Sequence, residues 1–562
     1  MLTSIMKTQE KGRHEAALYL ALAALAFCTH LYIVFRYTQN IPVGDDYTDA
    51  LRFLYNYVNA NAWHEKLMFF YAQHNEHRTT INRIIYVLMY WVNGGSLNFK
   101  ALMIIGDLST IGMVALFSLK FRKEQYFPFM LALAAIFVFN LQSWHSMIMA
   151  MTAISNYSVA FFAFAALCAL TSNRNNSIPL AVTFAFCSAF SQGNGVLVWP
   201  VGLVFLASEP TDNRRRNLIV WSAAMLACIA LYFFDYTRPN TISSLHHLIS
   251  STEAWGKLIT WFLTFIGSCW AFESNNAAIA TVAGAMICLA LAPSFLFLRR
   301  RAPNLAYFLL FVVLSAATAS YSRFTFFDLI FAMSSRYRIY SVYISCILLI
   351  ALYLRLAEVN ANWKLIKASV LSIALLHTVI SYASSMGLLR SESRDAADAT
   401  RALLLMDKKL FGYVFIPDTD RIADKAIRAH IWRPQSLFTD SLDLQRTRHS
   451  TVCTDTIPES EIPMAIDHVK KAPIGELFIR DTLPSREHIT GIFVCTKNRT
   501  YVDDFPRPSR TADGQLRFRF VATGPMKAYE RVIIQLTSGK LLVGIPVKSP
   551  DTTQQCTQTK PN

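Results

Sequence analysis

The stretch "AALYLALAALAFCTHLYIVF", Ala16 to Phe35, decides the fold of this chain. A helix of about 20 predominantly apolar residues is long enough to cross the hydrocarbon core of a bilayer. The run is longer than the apolar region of a secretory signal, and further apolar runs follow it along the chain. We therefore predict a membrane anchor that is retained in the mature protein.

Similar apolar runs recur through the first 384 residues of a chain of 562 that is 53% hydrophobic. This composition excludes a single soluble domain. The sequence predicts a mainly α fold, a polytopic membrane protein of about 11 transmembrane helices with a long first outer loop. The predicted spans lie near residues 16–36, 98–119, 126–140, 156–172, 178–191, 195–208, 217–234, 276–298, 304–321, 339–356 and 365–384.

The formal net charge is +16, but its distribution argues against a nucleic-acid partner. Residues 1–384 carry 27 Lys and Arg against 16 Asp and Glu, whereas residues 385–562 carry 26 against 21. The excess lies in short loops between predicted spans, which is typical of cytoplasmic loops. The sequence has no basic stripe interleaved with aromatic residues, so we expect no nucleic acid to bind.

The basic loops predict a cytoplasmic N-terminus and an outer C-terminus. One short apolar segment, Leu258 to Trp270, does not fit as a full crossing, because it would move Arg299–Arg301 to the outer side. We interpret it as a re-entrant or interfacial helix, which is possible where protein or water covers its backbone. The cytoplasmic marks are Lys7, Lys11, Arg13, Lys120, Arg122, Lys123, Arg174, Arg214–Arg216, Arg299–Arg301, Lys364 and Lys367.

A change of composition near residue 385 predicts two domains. Residues 1–384 would form the polytopic membrane domain, and residues 385–562 a periplasmic, soluble α+β domain. Residues 390–410 have a helical pattern. "GIFVC", "LRFRFVA" and "RVIIQLTSGKLLVGIPV" have the pattern of strands, the last as a hairpin that turns at Ser538-Gly539.

Titratable residues gather in the first predicted outer loop, residues 37–96. The loop opens with "PVGDDYTDALRF", residues 42–53, and continues with "QHNEHRTTINR", residues 73–83. "TDALRFLYNYVNA" and "INRIIYVLMYW" are typical of amphipathic helices at a membrane surface. Such helices would hold both charged stretches over the membrane instead of leaving them free in solvent.

Acidic residues of this loop are the catalytic candidates. Adjacent carboxylates serve as a general base or hold a divalent cation. We predict that Asp45, Asp46 and Glu76 form one acidic centre that deprotonates an acceptor hydroxyl or amine. The metal candidates are Asp46, His74 and Glu76, and a divalent metal ion is the one cofactor that the sequence suggests.

Histidines and arginines of the same loop are candidates for substrate binding. His74 and His77, three residues apart, would share a helix face and supply hydrogen bonds or metal ligands. Arg78 and Arg83 would clamp a phosphate through planar, permanently charged guanidinium groups. The alternative is that these groups pair among themselves and staple the loop.

Further polar groups fall on the same predicted outer side. "LQSWHSM" contains His145, "FDYTRP" contains Arg238, and "SQGNGVLVWP" interrupts two apolar runs with two glycines. "SRFTFFDLIFAMSSRYRIYS" places Arg336 and Arg338 against the positive-inside trend. We predict that at least one of these two arginines binds a phosphate; the alternative is an ion pair with Asp328 or contact with lipid headgroups. His145 and Arg238 are further substrate-binding candidates.

An acidic pair just after the first predicted span, a long first outer loop with surface helices, about eleven spans and an outer soluble tail resemble the GT-C superfamily of membrane glycosyltransferases. The motifs "GDDY", "QHNEHR", "SQGNGVLVWP" and "SRYR", in this order on one predicted side, resemble bacterial membrane proteins related to that superfamily. That superfamily includes protein O-mannosyltransferases, oligosaccharyltransferases and the aminoarabinose transferases of lipid A. The resemblance covers residues 16–384 and extends to bacterial membrane proteins related to the superfamily. Many members have Asp-Glu where this chain has Asp-Asp.

The resemblance implies transfer of a sugar from a polyprenyl-phosphate-linked donor to an acceptor glycan, lipid or protein. The reaction would take place on the outer face of a bacterial inner membrane. An acidic residue of the first outer loop would activate the acceptor, directly or through a metal, and this role falls on Asp45 or Asp46. A single displacement with the lipid phosphate leaving would invert the anomeric centre. The expected partners are the donor, the acceptor and membrane lipids.

Two other functions remain as alternatives. A polymerase or ligase of lipid-linked polysaccharide would also use outer arginines, but such proteins place their large loop late in the chain. A flippase or transporter of lipid-linked sugars would have two related halves and charges near the bilayer midplane. In this sequence no halves are apparent, and the titratable groups gather at one membrane face.

Overall fold

The computed structural model describes two compact units. It covers residues 2–172, 177–209, 213–239, 252–274, 276–359, 362–405 and 418–434, and eight strands between residues 464 and 544. One unit comprises Met1–Ser393 with Ala429–Ile431, and the other comprises Arg394–Arg428 with Trp432–Asn562. The candidate residues all lie in the first unit.

Apolar helices dominate the first unit. Within the described ranges, eight helices are long and apolar enough to cross a membrane: Arg13–Tyr37, Phe99–Leu119, Ala150–Leu170, Arg214–Phe233, Ala277–Arg301, Pro303–Arg323, Ser335–Glu358 and Trp363–Ala397. Shorter apolar helices span Phe127–Val138, Ser177–Ala189 and Gly193–Ser208. The prediction of a mainly helical, multi-pass membrane protein is confirmed at this level.

Several helices begin or end outside these apolar stretches. The first runs over Leu2–Tyr37 and the last long one over Trp363–Leu405, which includes much of the helical pattern predicted at 390–410. The helices predicted in the first loop are present as a π-helix with a following α-helix, and as Thr80–Val92. The remaining elements are Tyr47–Arg52, Phe53–Asn59, Trp63–Tyr71, Trp144–Met147, Val198–Ser208, Thr252–Gly267, Ser268–Trp270, Leu329–Met333 and Thr419–Arg428.

Basic loops of the first unit meet at one end of the helix bundle, here called the basic end. The Nζ of Lys367 lies 2.8 Å from Oε1 of Glu15. Arg301 donates to the Tyr126 hydroxyl at 2.7 Å, and Arg299 pairs with Glu209. Loops that the sequence assigns to the cytoplasm therefore lie together. The opposite end, here called the site end, carries the charged first loop.

A close helix contact fixes the membrane helix on which the site is built. Gly106, in Phe99–Leu119, leaves no room for a Cβ because the backbone of Ala153 lies against it. Ser109 and Ser158 add a hydrogen bond of 2.9 Å between the same two helices. Small residues allow such close backbone approach in membrane helices. The helix Ala150–Leu170 is therefore held firmly beneath the first loop.

The strands described in the second unit are β1 Met464–His468, β2 Ile474–Ile479, β3 Ile489–Thr496, β4 Thr500–Asp503, β5 Ser509–Arg510, β6 Leu516–Val521, β7 Tyr529–Leu536 and β8 Leu541–Gly544. They form two four-stranded antiparallel sheets, of order β1-β2-β6-β5 and β4-β3-β7-β8. Strand β3 contains "GIFVC", strand β6 covers residues 516–521 of "LRFRFVA", and strands β7 and β8 cover residues 531–536 and 541–544 of the predicted hairpin. The predicted turn at Ser538-Gly539 lies outside the described residues.

Candidate functional site

The stretch "QHNEHR" forms a tight turn with Glu76 at its tip. The backbone N–H of His74 donates to the carbonyl of His77 at 2.8 Å, and that of His77 donates back at 2.9 Å. Asn75, with φ 48°, adopts the left-handed conformation that Asn tolerates better than most residues. The prediction that His74 and His77 share a helix face is therefore wrong, because the chain reverses between them.

Arg78 and Arg83 bind the carbonyl ends of helices. Nε of Arg78 donates to the Tyr232 carbonyl at 2.6 Å, and its Nη1 donates to the Tyr71 carbonyl at 2.6 Å. Nη1 of Arg83 donates to the Phe69 carbonyl at 2.8 Å. The last carbonyls of a helix lack intrahelical partners and carry partial negative charge, which suits a cation. Both arginines therefore hold the loop to helix ends, mainly through backbone carbonyls rather than through pairing with the loop's own charged groups.

Asp49 anchors the same loop from inside, and the sequence analysis did not single it out. Its carboxylate, 1% exposed, accepts hydrogen bonds from the Thr79 hydroxyl at 2.8 Å and the Tyr86 hydroxyl at 3.0 Å. His74 Nδ1 lies 4.0 Å and Arg83 Nη2 3.8 Å from it. The sequence feature that could have indicated this role is the position of Asp49 beside Ala50 and Leu51, on the buried face of a predicted amphipathic helix.

Asp46 ties the loop to the helix Ala150–Leu170. Its fully buried carboxylate accepts the backbone N–H groups of Met151 at 2.6 Å, Ala150 at 3.1 Å and Val43 at 3.0 Å. The N–H groups at a helix N-terminus are natural partners for a carboxylate. Burial raises the pKa of Asp46 to about 7, although the three N–H donors favour the charged form. Asp46 is therefore out of reach of a substrate.

Asp45, the neighbouring residue, lines a cavity of about 390 Å³ at the site end. In the described part of the chain its carboxylate makes no hydrogen bond or ion pair. Glu76, Arg323 and Arg336 line the same cavity, here called the polar chamber. The structure thus separates the two adjacent aspartates into one structural group and one group that faces open space.

Glu76 is neutralised by a residue of a membrane helix. Nη2 of Arg323 lies 2.5 Å from Oε1 of Glu76. Burial opposes ionisation of the Glu76 carboxyl, but the guanidinium beside it holds its pKa below the usual value. Arg323 is the second residue of the stretch "SRFTFFDLIFAMSSRYRIYS", 247 positions after Glu76. A residue so far away in sequence gives no local signal of this pairing.

His77 is a neutral hydrogen-bonding group beside this pair. The N–H of Gly193 donates to Nδ1 of His77 at 3.2 Å, so the ring proton belongs on Nε2, which lies 3.6 Å from Oε1 of Glu76. Burial lowers the pKa of His77 to about 4. A Cβ on Gly193 would lie 2.9 Å from that Nδ1, so the glycine of "SQGNG" permits the contact.

A second cavity, of about 300 Å³, adjoins the polar chamber. Its lining includes Val196, Leu197, Phe233 and Phe265, so it is here called the apolar chamber. Both chambers are lined by Glu76, His77, Gln192, Ser322, Arg323 and Tyr337. A molecule with a charged head and an apolar tail would find both environments side by side.

Arg336 and Arg338, two positions apart, have different surroundings. Arg336 lines the polar chamber, with its Cζ atom 5.1 Å from the ring centre of Phe331 and its Nε buried without a partner among the described residues. Arg338 is buried and holds Glu273 at 2.6 Å and the Met333 carbonyl at 2.7 Å. Its partner is thus Glu273 and not Asp328.

His145 and Arg238 lie beside the chambers rather than in their linings. Burial, with the charge of Arg336, lowers the pKa of His145 to about 4. Nδ1 of His145 is buried and lacks a hydrogen-bond partner within the described ranges. Arg238 is exposed on the segment that follows the membrane helix Arg214–Phe233.

The candidate metal ligands do not converge. Asp46 is occupied by backbone N–H groups, His74 faces Asp49, and Glu76 holds Arg323. Among the residues that the structure describes, no three His, Cys, Asp or Glu side chains are grouped to hold a metal ion. These donors do not fit a divalent ion in this arrangement.

No family model matches the chain, and no curated protein matches it either. The chemistry of the chambers is therefore the basis for a functional proposal. An unpaired carboxylate and an unpaired guanidinium face one polar space that adjoins an apolar one. This arrangement can bind a phosphate ester and accept a proton from a group placed near it.

Proposed function

We propose that this chain is a membrane glycosyltransferase that moves a sugar from a polyprenyl-phosphate-linked donor to an acceptor glycan, lipid or protein. One observation carries the proposal: Asp45 and Arg336, neither with a side-chain ion pair in the described residues, line the same chamber. A base and a phosphate-binding cation in one space are what such a transfer needs.

In the proposed step, Asp45 takes the proton from the acceptor hydroxyl or amine. The acceptor atom bonds to the anomeric carbon as the bond from that carbon to the lipid phosphate oxygen breaks. The bonding electrons leave with the phosphate, whose charge Arg336 stabilises through its guanidinium donors. A single displacement inverts the anomeric centre. Asp46 holds the loop to the helix Ala150–Leu170 and takes no part in the step, and no step uses a metal.

The adjoining chambers support a donor with a lipid tail. The sugar and phosphate would occupy the polar chamber, and the first isoprene units would lie against Phe233 and Phe265 in the apolar chamber. Burying apolar surface contributes about 25 cal/mol per Å². A soluble nucleotide sugar would leave the apolar chamber empty, so the lipid-linked donor fits the two spaces better.

We further propose eleven crossings of a bacterial inner membrane, with the N-terminus cytoplasmic and the C-terminal α+β domain periplasmic. The eight long and three shorter apolar helices support this count, and the basic end is then the cytoplasmic one. Tyr236, which precedes the segment Leu258–Trp270 in the sequence, contacts the Glu76 carbonyl. Glu273, which follows that segment, contacts Arg338. Both contacts lie at the site end, which supports a re-entrant segment.

A purified assay tests the function. The full-length protein in detergent is given a polyprenyl-phosphate sugar and acceptor extract, and glycosylated acceptor and free polyprenyl phosphate are measured by mass spectrometry. The proposal predicts both products in equal amounts. A flippase would give neither, because detergent solution has no two sides to connect. A ligase or polymerase would act instead on a diphosphate-linked oligosaccharide and transfer it whole.

A further inference from the structure

A third cavity, of about 1160 Å³, opens at the basic end, far from the polar chamber along the same helices. Four arginines line it: Arg299, Arg300, Arg301 and Arg355. Two of these are neutralised by neighbours. Arg299 pairs with Glu209, and Arg301 lies 3.4 Å from Glu124 and bonds to the Tyr126 hydroxyl.

Arg300 and Arg355 remain unpaired. Neither makes a hydrogen bond or ion pair with any residue that the structure describes. Among the described residues of the lining, the carboxylates are those of Glu209 and Glu358, so the charged side chains described there sum to +2. An anion entering this space therefore meets two guanidinium groups that have no competing partner.

Apart from Thr171, the uncharged residues described in the wall are apolar. Phe205, Leu296 and Phe297 line the cavity below the arginines, and the Leu296 side chain is 60% exposed. A free inorganic anion gains nothing from this surface. An amphiphile with an anionic head gains both the charge-assisted hydrogen bonds and burial of its upper chain.

We propose that this cavity binds the phosphate headgroup of an anionic phospholipid. Arg300 and Arg355 hold the phosphate, and the first carbons of an acyl chain pack against Leu296 and Phe297. The lipid bridges the ends of the helices Ala277–Arg301 and Ser335–Glu358. This site is independent of the proposed transfer reaction, because it uses no residue of the two chambers.

Thermal unfolding of the full-length protein in detergent tests the site. Three probes are compared: phosphatidylglycerol, phosphatidylcholine with the same chains, and inorganic phosphate. Because a ligand that binds only the folded state stabilises it, phosphatidylglycerol should raise the melting temperature and the other two should not. An equal rise with inorganic phosphate would identify a free-anion site, and an equal rise with phosphatidylcholine an uncharged surface; either result overturns the proposal.

Paired variants locate the effect. The double variant Arg300→Gln/Arg355→Gln should need at least roughly ten-fold more phosphatidylglycerol for the same rise in melting temperature, because each lost charge-assisted hydrogen bond weakens binding. Arg215→Gln/Arg216→Gln removes two exposed arginines at the same end that do not line the cavity, and it should behave as the wild type. Native mass spectrometry should find phosphatidylglycerol retained on the wild type and on the control, and less of it on Arg300→Gln/Arg355→Gln. Equal lipid response or retention in both double variants would contradict the proposal.

Discussion

Nη2 of Arg323 lies 2.5 Å from Oε1 of Glu76, 247 positions away in the sequence. The contact joins the last residue of the helix Pro303–Arg323 to the tip of the turn in the first loop. Both residues line both chambers, so the ion pair stands where the polar and apolar spaces meet. The ion pair also neutralises the charge of Glu76. Asp45 is then the acidic residue of the polar chamber that is open to a substrate.

Breaking this pair should destabilise the protein. Glu76→Gln leaves the buried Arg323 without a charged partner, and loss of a charge-assisted hydrogen bond costs roughly 1.5–3 kcal/mol. We expect a lower unfolding midpoint in detergent. Glu253→Gln, which removes an exposed pair with Lys257, is the matched control and should leave the midpoint unchanged. Equal midpoints for both variants would mean that the contact contributes nothing.

Arg336 should contribute to donor binding, whereas Arg338 should contribute to the stability of the fold. Arg336→Lys keeps the charge but loses the planar fork, so donor binding should weaken roughly ten-fold or more while the melting temperature holds. Arg338→Lys should instead lower the melting temperature, because Arg338 holds Glu273 and a backbone carbonyl. Isothermal titration with donor and thermal unfolding measure the two effects. Unchanged donor binding by Arg336→Lys, or an unchanged melting temperature of Arg338→Lys, would contradict these roles.

Gly193 should be sensitive to a single methyl group. In Gly193→Ala the new Cβ would lie 2.9 Å from His77 Nδ1 and 3.2 Å from the Tyr232 hydroxyl, so His77 must move. We expect a marked loss of transfer in the purified assay. Gly256→Ala, where nothing lies within 4 Å of the new Cβ, is the control and should keep full transfer. His77 lines both chambers, so full transfer by Gly193→Ala would show that the position of its ring does not matter for the reaction.

Acid should weaken the fold through His77. Its pKa of about 4 in the folded protein lies below the ordinary 6.5, so between these values the unfolded chain binds more protons. The stability that this group contributes is therefore complete above pH 6.5 and is lost as pH falls toward 4. His77→Gln can still accept the Gly193 N–H and does not titrate. Its melting temperature should fall less than that of the wild type between pH 7 and 4.5; parallel curves would contradict the assignment.

The apolar spans and the loop helices could be predicted because their signals are local. Periodicity identified Thr80–Val92, and charge identified the loops that meet at the basic end. The roles of Arg78 and Arg338 could not be predicted in this way. Their partners are the end of a helix about 150 residues later for Arg78, and Glu273 for Arg338, so only the folded chain brings them together.

Two neighbouring aspartates posed a different difficulty. Asp45 and Asp46 have the same chemistry, and the sequence left open which of them is the base. The structure separates them because Asp46 meets the N-terminus of a helix that begins at Ala150, while Asp45 faces the polar chamber. His74 and His77 were misplaced because Asn75 takes a left-handed conformation that reverses the chain, and a three-residue spacing alone does not reveal it.

The transfer rate of Asp45→Asn, compared with that of Asp46→Asn in the purified, donor-supplied assay, tests the central claim most directly. A general base contributes roughly 10²–10⁴-fold in rate. Asp45→Asn should lose transfer by that factor while donor binding and melting temperature hold. Asp46→Asn should lower the melting temperature and keep transfer per folded molecule. Full transfer by Asp45→Asn, measured under the same conditions, would contradict the proposed mechanism.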